Sequence, residues 1–213
     1  MDDFIPITWE DILQREIIKL YAGDFPSSGA KYAQDFIALS LPEEINHEQN
    51  HAFIRHDITK PMPLPDNSVN IYQSEDVFEH IEYHKLISVM NEIYRVLKPK
   101  GLLRLSVPDY RYDAYYERSL KNSLGVVVFD FLGGGDVSEP GHKWFPIIES
   151  VRHLIEQTNF ANGSVEFLHY YDEDGKPVTK TIDYSKGFIS RTPDNTKQNG
   201  KYRPISIVVD MIK

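Results

Sequence analysis

Apolar and polar positions along this chain follow two periods, and the switches between them predict its elements. Residues 7–18 (ITWEDILQREII) carry apolar side chains at helical spacing, with Thr8 as N-cap and Asp11 three residues on, so a helix is expected there. Ile17 to Ala22 predicts a first strand ending at Gly23, Phe36 to Leu41 (FIALSL) a second and Ala52 to His56 (AFIRH) a third. The Pro-rich segment 57–68 (DITKPMPLPDNS) reads as a loop and Val69 to Gln73 as a strand. Leu86, Met90, Ile93 and Leu97 then make one stripe, the buried face of an amphipathic helix that Pro99 and Gly101 stop. Leu102 to Val107 is expected to be a strand and Ile148 to Thr158 a helix. Val165–Tyr171 and Val178–Ile182 predict a hairpin about Asp174-Gly175, and Ile205–Met211 a closing strand.

Strands alternating with helices imply an α/β fold: a Rossmann-like, mostly parallel sheet with helices on both faces and an antiparallel final strand. Residues 109–146 break the rhythm. A Tyr- and Arg-rich stretch leads into Phe131-Leu132-Gly133-Gly134-Gly135-Asp136 and then Glu139 to Pro146. This reads as an insertion after the fifth strand, a cap or substrate segment over the functional edge of the sheet. Residues 1–213 are otherwise expected to form one domain. Residues 190–203 are polar and expected to be mobile.

Composition narrows the class. With 213 residues, 41% hydrophobic and 26% charged, the chain suits one soluble domain with a full core. It has no cysteine, which excludes disulfides, zinc–thiolate sites and Cys nucleophiles. A formal charge of −9 argues against broad binding to nucleic acid. No apolar run is long enough for a membrane span, and the first residues lack the pattern of a signal peptide, so a cytoplasmic protein is expected. Its partner is expected to be a small-molecule substrate; the oligomeric state stays open.

The stretch Arg55 to Asp109, RHDITKPMPLPDNSVNIYQSEDVFEHIEYHKLISVMNEIYRVLKPKGLLRLSVPDY, resembles the type-11-like S-adenosylmethionine (SAM)-dependent methyltransferases. The shared features are an acidic residue after the third strand, a Pro-rich loop ending D-N-S, the V-x-E-H-I segment and the R-V-L-K-P-x-G helix end. The resemblance implies SAM as cofactor. Asp57 would accept a hydrogen bond from the adenine amino group and Ile58 would pack on the adenine face. Ser74, Glu75 and Asp76 would lie by the methionine end, with His80 in the E-H-I step beside them. Ala22, Gly23 and Asp24 match the first cofactor loop, although Phe25 stands where a second glycine is expected. Ser40 stands where an acidic residue would hold the ribose.

Toward the acceptor, His142 is the candidate general base, because an imidazole titrates near neutral pH. Asp109 would orient it or act as the base itself. Trp144 would stack on a sugar or ring, with Lys143 and Tyr110 as further substrate contacts. His80 and His84 lie in H-x-E-x-H rather than the H-E-x-x-H of zinc peptidases, so no metal is expected. The function expected is methyl transfer from SAM to a small polar acceptor, such as a sugar or another hydroxyl-bearing metabolite. The alternative is a degenerate member of the fold without catalysis, acting as a binding or regulatory subunit. It is motivated by Phe25 and Ser40 and predicts that Phe25 fills the cofactor cavity. A nicotinamide-dependent enzyme is disfavoured, since G-x-G-x-x-G is absent.

Overall fold

Thr8 starts the first helix through a reciprocal cap. Its hydroxyl accepts from Asp11 N at 3.2 Å, while its own N–H donates to Asp11 Oδ2 at 2.8 Å. The computed structural model describes residues 7–23, 35–41, 52–191, 197–198 and 201–213. Their elements are α1 (Trp9–Leu13), β1 (Lys19–Ala22), β2 (Phe36–Ser40), β3 (Phe53–Arg55), β4 (Val69–Glu75), α2 (Tyr83–Val96) and β5 (Leu97–Pro108). There follow α3 (Asp113–Arg118), β6 (Ser119–Lys121), β7 (Val127–Asp130), α4 (Ile148–Glu156), β8 (Ser164–Tyr171) and β9 (Pro177–Thr179). The short strands β10 (Lys197–Gln198) and β11 (Lys201–Tyr202) precede β12 (Ser206–Ile212).

The main sheet has the order β3-β2-β1-β4-β5-β12-β8-β9. Strands β1 to β5 run parallel; β12 is antiparallel to both β5 and β8. The strand order reverses between β1 and β4, so the crevice beyond their carboxyl ends is where a ligand is expected. Alternate residues part to opposite faces. Leu20, Ile37, Leu39, Leu103, Leu105 and Val209 enter the main core with Leu86, Met90 and Ile93 of α2 and Val151 and Leu154 of α4. Tyr21, Phe36, Ala38 and Phe53 form a separate cluster.

Several boundaries differ from the sequence reading; β9, for one, ends at Thr179 rather than Ile182. α1 ends at Leu13 rather than Ile18, because the chain must turn to lay Ile18 beside β4, where its N–H donates to Asn70 Oδ1 at 3.0 Å. Leu97 leaves the α2 stripe and opens β5 with extended backbone, and Lys100 turns the chain at φ 67°.

A buried cation organises the other side of the sheet. Arg104 is fully buried and grips Asp210 through two 2.8 Å bonds; its Nη1 donates to Asp183 O at 2.9 Å and Gly187 O at 2.6 Å. Gln73 Nε2 donates to Phe188 O at 2.6 Å. Segment 182–191 is thereby laced to the sheet, with Ile182 and Ile189 packed on Leu168 and Val208. Ser190 and Arg191, expected to belong to a mobile stretch, are held at the end of β4 instead.

Candidate active site

The carboxyl ends of β1 to β4 enclose a cavity of about 220 Å³ bordered by Gly23, Leu39, Asp57, Ile58, Val77 and His80. Gly23 sits at φ 83°, and a Cβ there would stand 2.9 Å from Val77 Cγ2, so glycine is what keeps this wall open. Ser40 is buried and donates to Gly23 O at 3.1 Å, which secures the turn. Ala22 is fully buried in the core. Asp24, Phe25 and the alternative cradle toward Gly29 lie outside the described residues.

Asp57 does two things at once. Its Oδ1 accepts from Thr59 N at 2.9 Å and Thr59 Oγ at 2.7 Å, which shapes the loop and leaves Oδ2 for a ligand. Burial pushes its pKa up, but the Thr59 bonds outweigh this and hold the carboxyl below its ordinary value. Ile58 is half-buried beside it on the cavity wall.

Beyond β4 lies a concentration of acid. Glu75 is buried and accepts from Ser190 N, Ser190 Oγ and Arg191 N, each at 3.0 Å; burial nevertheless raises its pKa. Asp76 adopts φ 55° and pairs with Arg191 Nε at 2.8 Å, and burial lifts it to about 7. Neither residue caps the helix that follows, since α2 begins only at Tyr83. Glu79 is 1% exposed, with burial first and the Asp76 charge next driving its pKa well up. Ser74 Oγ is buried with no hydrogen-bond partner among the described residues.

Segment 109–146 brings His142 to this acid cluster. Its ring meets His80 edge-on, centroids 4.7 Å apart. His142 Nδ1 lies 2.6 Å from the Tyr110 hydroxyl, which donates to Asp130 Oδ2 at 2.7 Å; Arg118 clamps Asp130 through bonds of 2.8 and 2.6 Å. With the Tyr110 proton committed to Asp130, Nδ1–H donates to Tyr110 and Nε2 is left as the basic nitrogen. Burial and the neighbouring His80 depress the His142 pKa to about 4, so the ring is neutral at pH 7. The glycine run has a reason: a Cβ on Gly133 would meet His142 Cγ at 2.8 Å.

Two expected contacts are buried instead. Trp144 is buried in the main core and donates from Nε1 to Phe78 O at 2.9 Å, so its ring packs rather than stacks on a ligand. Tyr110 is also buried, with its hydroxyl against His142 Nδ1. Lys143 keeps an exposed side chain, while its N–H donates to Glu79 O at 2.7 Å.

Asp109 is fully buried, and its oxygens accept from Arg111 N at 2.9 Å and Tyr171 N at 2.8 Å, joining β5 to β8. Burial raises it to about 6 from the ordinary 3.8. A raised carboxyl pKa means that ionisation costs the folded state stability: the cost is absent below about pH 4, grows to about pH 6 and is constant above. The stability advantage of the wild type over Asp109→Asn is therefore expected to shrink between pH 4 and 6, by at most about 3 kcal/mol. Urea unfolding at several pH values reads this; a gap independent of pH would contradict it.

Residues 17–105 match the family model described as a methyltransferase domain. No match to the chain is found among curated proteins. Among solved structures, a SAM-dependent methyltransferase from Archaeoglobus fulgidus is similar at a TM-score of 0.54 and 13% identity, covering 96% of this chain and 90% of that one. One from Mesorhizobium loti gives 0.52 at 15% identity over 92% and 91% of the two chains. Another from Methanosarcina mazei gives 0.51 at 11% over 98% and 99%. Residues 17–105 thus match a methyltransferase-domain model, and the chain shares the fold of the SAM-dependent methyltransferases.

Proposed function

We propose that this protein methylates a small polar acceptor through a hydroxyl group. The observation that carries this reading is the open cavity between Gly23, Asp57, Ile58 and His80, the last of which also belongs to the cluster with Glu79 and His142. Its residues suit the cofactor: Gly23 leaves room for close approach, Asp57 Oδ2 accepts from the adenine amino group, and Ile58 offers an apolar wall. Glu75 and Asp76 give the neighbouring end of β4 the negative field that a sulfonium favours. Bound there, S-adenosylmethionine supplies a methyl group on a cationic sulfur, which keeps the electron pair of the broken bond.

The acceptor oxygen forms the new bond to carbon and loses its proton. His142, neutral and held through Nδ1 by Tyr110 and Asp130, is the group that would take that proton at Nε2. Lys143, whose side chain is exposed, would steer an anionic group of the acceptor.

Calorimetric titration with SAM or S-adenosylhomocysteine tests the reading, and no binding at about 1 mM ligand would overturn it. Asp57→Ala is expected to weaken binding about tenfold, the loss of one charge-assisted hydrogen bond. Thr59→Val breaks one side-chain bond of the turn but keeps the carboxylate, so an equal loss there would assign the effect to loop shape. One observation favours the non-catalytic reading: Ser40 spends its hydroxyl on Gly23 O and leaves the end of β2 without an acid. That reading predicts no cofactor binding in the same titration.

A further inference from the structure

Glu79, His80 and His142 each bring one ligand atom within 4.8 Å of the other two. Glu79 is 1% exposed, and its Oε2 has no hydrogen-bond partner among the described residues. A carboxylate oxygen buried this way carries a desolvation cost that a bound cation would offset. Both rings are also held from outside the cluster. His80 Nδ1 lies 3.1 Å from Gly141 O, and His142 Nδ1 lies 2.6 Å from the Tyr110 hydroxyl, which donates a hydrogen bond to Asp130. Outer hydrogen bonds of this kind fix the orientation of a ligating ring.

We propose that Glu79, His80 and His142 form a binding site for a divalent transition-metal ion, a two-histidine, one-carboxylate set with open positions toward the cavity. Ligands about 2.1 Å from one tetrahedral ion stand about 3.4 Å apart, so side-chain rotation of roughly an ångström closes the set. The acids gathered here suit a dication: Glu75, Asp76 and Glu79 lie around the guanidinium of Arg191, and a bound ion would favour the ionised form that burial disfavours. Asp130 is already balanced by Arg118. An oxygen bound to such an ion is acidified. The ion, with His142 as its ligand, would then lower the acceptor's own pKa and send the hydroxyl proton to solvent. That use rests on the methyl-transfer reading, whereas ion binding does not.

Titration of the metal-stripped full chain with Co(II), followed by calorimetry and by the visible spectrum of the ion, reads the site directly. One-to-one binding is expected. Tyr110→Phe keeps the three ligands and is expected to weaken it about 10–100-fold, with Glu79→Gln and His80→Ala costing more. His84→Ala, an exposed histidine four residues further on, is expected to bind as the wild type does. His80 is itself exposed, so His80→Ala remains informative even where Glu79→Gln impairs folding. No binding at about 1 mM Co(II), or equal binding by His80→Ala and wild type, would overturn the site. SAM titration of the same samples separates the two proposals. SAM binding without Co(II) binding overturns the metal site alone; Co(II) binding without SAM binding overturns methyl transfer alone.

Discussion

Arg104→Met is expected to lower the free energy of unfolding by about 3–5 kcal/mol, the usual cost of breaking a buried ion pair from one side. The guanidinium is fully buried and makes four hydrogen bonds, two to Asp210 and one each to the carbonyls of Asp183 and Gly187. Methionine keeps much of the volume, so the loss reports the orphaned partners rather than a cavity. Urea unfolding measures it, and a change below about 1 kcal/mol would contradict the account. The double variant Arg104→Met/Asp210→Leu is expected to recover part of the loss, since a well-packed apolar pair can replace a buried ion pair. Hydrogen exchange should show where the single change acts: segment 183–191 should lose protection first. That segment carries Arg191 to Asp76, so the variant also loosens the acid side of the site.

Gly23→Val is expected to abolish SAM binding at about 1 mM ligand. Two costs coincide at this residue. Its φ of 83° is strained for any β-branched side chain, and the new Cβ would press on Val77 Cγ2 from 2.9 Å. The added methyl groups would then occupy the cavity wall where close backbone approach is needed. Strain alone is separated by Gly175→Ala, at φ 74° on the β8–β9 hairpin, where a Cβ meets nothing within 4 Å. That variant should lose about 1 kcal/mol of stability and no affinity. Equal affinity in Gly23→Val and wild type would remove the cavity from the methyl-transfer reading.

Local pattern made most of the elements legible. The Leu86–Met90–Ile93 stripe, the Thr8–Asp11 cap and the Asp174-Gly175 turn depend on neighbours within a few residues, and the structure has them where the periodicity places them. Boundaries moved where a distant strand decided, as at Leu13, where the approach to Asn70 ends the helix. The site was legible only in part. Asp57, Ile58 and Gly23 follow strand ends, and in a parallel sheet such ends share one crevice, so their position along the chain already places them near each other.

Arg104 left no signal in the sequence, because an arginine between leucines does not name its partner 106 residues away. Trp144 and Asp109 carried the residue types of a stacking ring and a catalytic acid, yet burial and backbone hydrogen bonds make one a core residue and the other a clasp between strands. What the sequence by itself determined is therefore the α/β rhythm and the placing of Gly23, Asp57 and Ile58 at strand ends, consequences of short-range periodicity, while their part in cofactor binding comes from the family resemblance. What only the tertiary structure decided is the pairing of His142 with Glu79 and His80 and the lacing of segment 182–191 onto the sheet. Those contacts join residues more than 60 positions apart, and a chain specifies them only through the packing of the whole fold.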